Sequence, residues 1–410
     1  SRIPSHKPWR DVSWGVGEAL EASGMQRSGR LSTSLRGILR LSNLPPITSD
    51  RRIKGCSRQR GPSFFASRAP RYFSTKLDDF VSTRRRHINL ESSGLLSSVN
   101  QTLKGIGQVL FAESSVSGLM VLGTLGFVDP AMAALTFIGA ASSTAAAHQM
   151  QQNKDSINSG LFGFNGALVG AGVSVFLPSI AGTSLPFIGA LAGGALSSVL
   201  YVALGRCIKS TPQFTFSFNA IVLPVLAVTR SLSNATNTVA LPETVEGAAR
   251  VADVSYVDWA LSPLSGVSQI LIVDSPLCGV AVLGAIAAGH GGFSLKALKT
   301  GGIAAGSALV GSAIGACVAC LLGQSPDTIV SGLHGYNPAL AALAVATFYK
   351  HNWAVAGLAV GSAAATAVAS VGISSALASS LGIPACSLPF CIVASICMRA
   401  SPFVPMWKLK

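Results

Sequence analysis

Six polar residues stand out because they recur at matched places in two long apolar stretches of the chain. They form three pairs, each inside a short repeated string: Gln108 and Gln269, Asn165 and Asn337, Thr215 and Ser387. Polar groups are costly in lipid unless they face a cavity or one another. In a membrane protein built of two related halves, the solute path usually lies where the halves meet. These repeated residues are therefore the first candidates for a functional site.

The glutamine pair has the chemistry to recognise a neutral amide. Gln108 lies in the string Gly-Ile-Gly-Gln-Val-Leu, and Gln269 lies in Gly-Val-Ser-Gln-Ile-Leu. Each carboxamide offers two N–H donors and one acceptor oxygen, and it avoids the desolvation cost of a buried charge. The alternative interpretation is that both glutamines only bond between packed helices.

The hydroxyl pair follows two prolines. Thr215 lies three residues after Pro212, and Ser387 lies three residues after Pro384. Proline ends a preceding helix and is tolerated in the first turn of the next one. The pattern predicts two half-helices that meet near mid-membrane, with the two hydroxyls facing each other. The alternative is that each hydroxyl bonds back to a backbone carbonyl four residues earlier.

The spacing between the paired strings predicts the architecture. The offset is 161 residues for the glutamine pair and 172 for the other two pairs, so the second half carries an 11-residue insertion. The chain is 49% hydrophobic and 11% charged, whereas soluble domains have about 25% charged residues. We expect about ten membrane crossings, five in each half. With an odd number of crossings, the second half enters the membrane from the opposite face and is inverted relative to the first. The predicted fold is an all-α integral membrane protein, with two five-helix inverted repeats whose paired half-helices enclose a central pore.

Composition divides the chain into five segments. They are an Arg/Ser-rich arm at 1–87, a first membrane repeat at 88–230, a polar linker at 231–259, a second membrane repeat at 260–398 and a tail at 399–410. Residues 1–86 hold 18 of the 30 lysines and arginines, so the net charge of +14 belongs mainly to the arm and does not indicate nucleic-acid binding. The arm has the composition of an organelle transit peptide, and a disordered cytosolic arm shares these features.

The apolar halves contain no pattern typical of catalysis or metal binding. Seven of the eight cysteines lie in apolar surroundings, where free cysteine packs as a small apolar residue. Cys317 and Cys320 have redox or metal spacing, but they lie in a Gly/Ala-rich helix pattern. We therefore predict a protein that is not an enzyme and needs no cofactor.

Taken together, the repeated strings resemble the urea transporter family over residues 95–398. The most specific strings surround Gln108, Asn165, Asn337 and Ser387. The resemblance implies a homotrimer in the lipid bilayer, with one pore per protomer for passive urea movement. It implies that the two glutamines bind urea at the ends of a filter, with Thr215 and Ser387 lining the constricted middle. It also implies that the filter walls are Phe111, Phe164, Leu168, Phe218, Tyr336, Leu340 and Phe390.

Several positions depart from the family pattern. They are Glu113-Ser114-Ser115 in place of Asn-Asn-Pro, Ser217 in place of proline, Ser275 in place of Asn, Ser387 in place of Thr, and Ile272 where the first half has Phe111. Two alternatives therefore stay open: a channel for ammonia, short amides or water, and a non-transporting structural subunit of an organelle membrane complex. The resemblance implies the plasma membrane, whereas the arm favours a mitochondrial or other organelle membrane.

Overall fold

A computed structural model describes residues 94–177, 184–208, 211–236, 254–291 and 295–400 of the chain. Within these ranges the chain forms fourteen α-helices, and two of the described connections between them contain a 3₁₀ turn. The prediction of an all-α membrane protein is confirmed for this part of the chain. The predicted arm at 1–87, residues 237–253 of the predicted linker and residues 401–410 of the tail lie outside the described residues.

The helices fall into two sets of seven. The first set is α1 (Gly94–Gly107), α2 (Ser115–Val128), α3 (Pro130–Gln149), α4 (Lys154–Asn158), α5 (Gly163–Phe176), α6 (Ser184–Cys207) and α7 (Phe216–Thr236). The second set is α8 (Tyr256–Ser268), α9 (Pro276–Gly291), α10 (Leu295–Leu321), α11 (Pro326–Val330), α12 (Tyr336–Phe348), α13 (Trp353–Leu381) and α14 (Leu388–Ala400). The 3₁₀ turns are Gln108–Leu110, after α1, and Gln269–Leu271, after α8.

The second set repeats the first element by element. Each set has a bent helix pair, a long helix, a one-turn helix, a short apolar helix, a long helix and a final helix. Left-handed backbone recurs at the same places: φ is 56° at Phe111 and 61° at Ile272, and it is 78° at Gly160 and 80° at Gly332. The repeat seen in the sequence is therefore also a repeat of backbone conformation.

Up to six segments of the described chain are long and apolar enough to cross a membrane. Four of them are single helices, namely α3, α6, Lys299–Leu321 of α10 and α13. The other two are the bent pairs α1 with α2 and α8 with α9, which bend by 77° and 67°. A 13-residue helix is about 20 Å long, short of the ~30 Å apolar core of a bilayer. The short apolar helices α5, α12 and α14, and the apolar part Phe216–Ser231 of α7, therefore differ from the full crossings that we expect from hydropathy.

Polar residues determine where several helices begin. The Asp129 side chain accepts a hydrogen bond from the Ala131 N–H, and Pro130 is the first residue of α3. The Asn352 side chain caps α13 by accepting from the Val355 N–H. These caps satisfy N–H groups that have no partner inside the helix. The caps therefore fix the residues at which the long helices α3 and α13 begin.

Two close backbone crossings place the candidate glutamines. A Cβ added to Gly105 in α1 would stand 2.8 Å from the Gly163 Cα at the start of α5. In the second half, a Cβ added to Gly266 would stand 2.9 Å from the Gly335 Cα, just before α12. Small residues let helix backbones approach this closely inside lipid. Each crossing comes three residues before a glutamine, so it holds that glutamine against the start of the short helix.

The two halves meet along α2 and α9, which hold equivalent places in the repeat. His290, near the end of α9, donates from Nε2 to the Leu110 carbonyl, which precedes α2, at 3.0 Å. Gly284, earlier in α9, lies against Met120 inside α2, where an added Cβ would stand 3.3 Å from the Met120 Cε. The end of α9 therefore packs beside the start of α2, and the two equivalent helices run antiparallel.

We predict that Gly105→Ala and Gly266→Ala each destabilise the protein. The added methyl group overlaps backbone atoms, and overpacking of this kind costs about 1–3 kcal/mol. The apparent melting temperature of detergent-purified protein, followed by intrinsic fluorescence, should fall by several degrees. Gly123→Ala in α2 is the matched control, because an added Cβ there meets no atom within 4 Å. Unchanged melting temperatures in both crossing variants would contradict the close contact.

Candidate functional site

Both halves line one large cavity of about 790 Å³. All eleven residues predicted from the sequence lie in its lining: Gln108, Phe111, Phe164, Leu168, Thr215, Phe218, Gln269, Tyr336, Leu340, Ser387 and Phe390. The fold thus brings together side chains from distant parts of the sequence. Their contact with a solute stays a prediction.

The two glutamines are held in the same way in each half. Gln108 donates from Nε2 to the Ser159 carbonyl at 3.0 Å, and Gln269 donates from Nε2 to the Ser331 carbonyl at 2.9 Å. Both carbonyls belong to the residue that follows a one-turn helix. The bonds fix each carboxamide plane, while the described chain offers no hydrogen-bond partner to either Oε1 atom. Each glutamine therefore presents a fixed, uncommitted acceptor at the cavity.

The hydroxyl pair forms the contact between the two halves at the cavity. Thr215 Oγ1 and Ser387 Oγ lie 2.6 Å apart and share a hydrogen bond. Asn219 donates from Nδ2 to Ser387 Oγ at 3.1 Å and to the Thr215 carbonyl at 2.8 Å, and the Cys391 Sγ lies 3.0 Å from Thr215 Oγ1. The two hydroxyls bond to each other and not back to carbonyls of their own segments. Each immediately precedes a helix, α7 or α14, so two helix N-termini converge here.

The asparagine pair anchors the turns that lead into these hydroxyls. Asn165 donates from Nδ2 to the Phe214 carbonyl at 3.5 Å, and Asn337 donates from Nδ2 to the Cys386 carbonyl at 3.0 Å. In the second half, the Tyr336 hydroxyl also donates to the Cys386 carbonyl, at 2.7 Å. Buried carbonyls need such partners. The repeated asparagines therefore hold the turns that immediately precede the two hydroxyl residues.

Four phenylalanine rings from both halves pack edge to face at the cavity: Phe111, Phe214, Phe348 and Phe390. The shortest centroid distances are 5.0 Å for Phe214 with Phe390 and 5.7 Å for Phe111 with Phe348. Edge-to-face contacts of this kind are favourable beyond the area that they bury. The sequence prediction omits Phe214 and Phe348. The repeat contains a signal for Phe348, since the 172-residue offset pairs it with Phe176, another lining residue.

Strained backbone surrounds the cavity. Four lining residues other than glycine have positive φ: Phe111 at 56°, Phe214 at 44°, Ile272 at 61° and Cys386 at 48°. Each such residue costs about 1–3 kcal/mol and persists only where the surrounding structure fixes it. They form two equivalent pairs, one after the 3₁₀ turns and one just before the hydroxyl residues. These sharp turns bring the glutamines and hydroxyls to the same cavity.

The described cavity lining contains no lysine, arginine, aspartate or glutamate. Glu113 forms a salt bridge of 3.3 Å with Lys104, and neither residue lines the cavity. His334, in the loop between α11 and α12, lines the cavity and lies 3.0 Å from the Thr328 Oγ1 atom. Burial lowers the pKa of the His334 imidazole, which is therefore neutral at pH 7. Its counterpart in the first half, Phe162, is apolar, and His334 is an addition to the lining residues that the sequence predicts.

Known proteins are similar to this chain in sequence. The family described as UT, urea transporter, matches residues 99–402. The chain belongs to the urea transporter family. It is similar to urea transporter 1 of Ovis aries and of Capra hircus, each 28% identical over 309 residues that cover 72% of this chain and 75% of the relative. Urea transporter 1 of Rattus norvegicus is 26% identical over 302 residues, which cover 73% of this chain and 76% of the relative.

The departures of this urea transporter family member lie in different surroundings. Ile272 lines the cavity with the same left-handed backbone as Phe111. Ser217 is fully buried, and its hydroxyl has no hydrogen-bond partner in the described structure. Glu113 is neutralised by its salt bridge outside the cavity. The departures therefore leave the cavity lining uncharged.

We predict that Tyr336→Phe lowers the stability of the protein by about 1 kcal/mol, because one buried hydrogen bond to the Cys386 carbonyl is lost. Asn337 still donates to that carbonyl, which limits the loss. The measurement is again the apparent melting temperature in detergent. Tyr256→Phe is the matched control, because Tyr256 is 93% exposed. Equal melting temperatures for Tyr336→Phe and the wild type would show that the Tyr336 hydroxyl does not anchor the turn.

Proposed function

We propose that this protein is a passive channel for urea. The observation that carries the proposal is one uncharged cavity that holds two oriented carboxamides and a pair of hydroxyls, together with the aromatic rings of both halves. Urea is planar and neutral, with N–H donors and one carbonyl acceptor. Such a molecule needs hydrogen bonds to replace its water, and it needs no compensating charge. Urea transporter 1 of Ovis aries, a relative over most of the chain, supports this substrate.

The glutamines are suited to receive urea as it loses water. The Gln108 and Gln269 oxygens can each accept from a urea N–H, and the amide planes are already fixed by the Ser159 and Ser331 carbonyls. Fixed groups lose little conformational entropy when a solute binds. Conduction also requires sites weak enough for release, and neutral hydrogen bonds meet this condition better than ion pairs do. We propose that these residues form the two ends of the filter.

The Thr215 and Ser387 hydroxyls supply polar contacts between the two glutamines. A hydroxyl can donate or accept as required, so the pair can exchange its mutual bond for bonds to urea. Phe111, Phe218 and Phe390 line the same cavity and offer flat apolar surfaces to a planar solute. We propose that Phe164, Leu168, Tyr336 and Leu340 complete these walls. The mechanism involves no covalent step, since the chain is a transporter by family and not an enzyme.

We propose that the two membrane repeats, 88–230 and 260–398, are inverted relative to each other. The support is that α2 and α9 hold equivalent places and pack antiparallel, through His290 and Leu110 among other residues. A two-fold axis that relates two antiparallel helices lies perpendicular to both. When such helices cross a membrane, the axis lies in the membrane plane, which is the arrangement of inverted-repeat transporters.

The family resemblance supports a homotrimer with one pore in each copy, and we propose this assembly in the bilayer. Light scattering of the detergent-purified protein measures the number of copies, and a monomer or dimer would reject the trimer. The resemblance supports the plasma membrane, whereas the basic composition of 1–87 supports an organelle membrane. Sequencing the N-terminus of the protein purified from its native membrane distinguishes them, because a mature chain that begins near Ser74 would indicate organelle processing.

We predict that liposomes containing this protein take up urea faster than empty liposomes, and that Gln108→Leu and Gln269→Leu each reduce the flux at least about fivefold. A lost hydrogen bond to the dehydrated solute is worth about 1 kcal/mol or more, which corresponds to that factor. The measurement is stopped-flow light scattering under a urea gradient. Gln149→Leu is the matched control, because Gln149 is exposed at the end of α3 and does not line the cavity. Equal flux in protein-containing and empty vesicles would reject the channel and favour the alternative of a structural subunit.

The alternative solutes are separated in the same vesicles. Ammonia, acetamide and water can each be given as the gradient in place of urea. Passage of water or ammonia at a rate that Gln108→Leu does not change would indicate a pore whose selectivity does not depend on the carboxamides. A urea flux that falls together with the acetamide flux in this variant would support recognition of the amide group.

We further predict that the channel excludes small cations. The N-termini of α7 and α14 converge at Thr215 and Ser387, and each helix N-terminus carries about half a positive charge. The described lining has no acidic residue to offset this field. Radiolabelled methylammonium, which is protonated at pH 7, should therefore enter protein-containing vesicles no faster than empty ones, while urea enters faster. Rapid methylammonium uptake would contradict this electrostatic barrier.

A further inference from the structure

The second half gives the cavity a polar surface that the first half lacks. We call it the serine wall and define it as Gln324, Ser370, Ser374 and Ser375, all of which line the cavity. Gln324 follows α10, and the three serines lie on α13. The family-derived filter residues do not include any of the four.

The serine wall consists of polar groups that the protein itself leaves unused. The Ser370 side chain is 5% exposed, and its hydroxyl has no hydrogen-bond partner among the described residues. The hydroxyls of Ser374 and Ser375 and the carboxamide of Gln324 likewise make no hydrogen bond to the described residues. Most buried polar groups in proteins are hydrogen-bonded. Of the four, Ser370 is buried, whereas Gln324 and Ser374 are half-buried and Ser375 is exposed. The unpartnered Ser370 hydroxyl, beside three further uncommitted polar groups at the cavity, points to a ligand that supplies the missing hydrogen bond.

The equivalent positions of the first half show the contrast. At the 172-residue offset, Ser374 and Ser375 correspond to Val202 and Ala203, which are apolar. Ser370 corresponds to Ser198, whose hydroxyl donates to the Ser143 carbonyl at 2.7 Å. Val202, Ala203 and Ser198 do not line the cavity. Gln152, the counterpart of Gln324, does not line it either. The same places in the fold are thus apolar or internally bonded in one half and uncommitted in the other.

A tyrosine ring takes the corresponding space in the first half. Tyr201 lines the cavity and packs edge to face against Phe162 and Phe164, at centroid distances of 5.7 and 5.8 Å. Its counterpart in α13 is Ile373, a smaller aliphatic residue that has no ring and does not line the cavity. The position before Ser374 therefore carries a smaller side chain than its counterpart in the first half. The two halves therefore differ here in side-chain size as well as in side-chain polarity.

We propose that the serine wall is an additional binding site for a small neutral amide, on the side of the cavity formed by the second half. Three hydroxyls and one carboxamide can donate to a carbonyl and accept from N–H groups at the same time. The absence of charged residues from the described lining disfavours ions. This inference rests on the proposed urea channel and names a site that holds the amide beside the glutamine filter. The site belongs to the second half alone, because the first half has no counterpart that lines the cavity.

The test is direct binding of methylurea to the full chain in detergent, followed by saturation-transfer NMR on the methyl protons. The variant S374V/S375A gives the second half the residues of the first, and Ile373→Tyr adds the ring that Tyr201 provides. Each should weaken methylurea binding at least about fivefold, because hydrogen bonds or space are lost. Ser380→Ala is the matched control, since Ser380 is an exposed serine of α13 that does not line the cavity. A variant is folded if it elutes in gel filtration at the same position as the wild type. One folded variant is enough for the comparison.

The outcomes separate this site from the proposed function. Weaker binding in S374V/S375A or Ile373→Tyr, with wild-type binding in Ser380→Ala, supports the serine wall even if the urea flux assay fails. Wild-type binding in both variants, or no methylurea binding by the wild type, overturns the serine wall even if urea flux is present. Gln108→Leu should retain binding at the serine wall, and loss of all methylurea binding in that variant would assign the site to the filter alone.

Discussion

The cavity depends on two places where helix backbones touch without side chains between them. Gly105 meets Gly163, and Gly266 meets Gly335, too closely for a methyl group to fit between them. Inside lipid, helices gain little from the hydrophobic effect when they associate, so close packing and hydrogen bonds must hold them. These contacts fix the chain three residues before each glutamine. The glutamine hydrogen bonds and the left-handed turns after them follow from that constraint.

The two halves share a backbone conformation but differ in the side chains that they bring to the cavity. Backbone conformation and glutamine and asparagine hydrogen bonds recur at equivalent positions. The side chains around the cavity diverge: Phe111 corresponds to Ile272, and Tyr201 to Ile373. Glycine contacts and buried carbonyl partners tolerate few changes, because a clash or an unpaired polar group costs several kcal/mol. Lining residues face the cavity and not a packed neighbour, so the sequence varies there without loss of the fold.

All the residues that the sequence predicts for the site line the cavity, whereas the lengths of the helices are not predicted. Repeated polar residues in apolar sequence identify Gln108, Thr215, Gln269 and Ser387 because the cost of a polar group in lipid holds wherever the helices end. Hydropathy does not predict that α5 and α12 are short, since a half-helix and a crossing helix are equally apolar. The left-handed backbone of Phe111 and Ile272 also escapes prediction, because tertiary packing imposes a conformation that neither residue prefers locally.

The Asn219 amide also places a fixed donor group beside the hydroxyl pair. Both of its N–H groups are engaged as donors, one to the Thr215 carbonyl and one to the Ser387 hydroxyl. The Ser387 oxygen accepts from Asn219 and can still donate to or accept from Thr215, so the bond between the two hydroxyls can run either way. The two N–H groups of Asn219 can only donate, and both are already committed. The meeting point of the two halves therefore combines one fixed donor group with two hydroxyls that are free to turn.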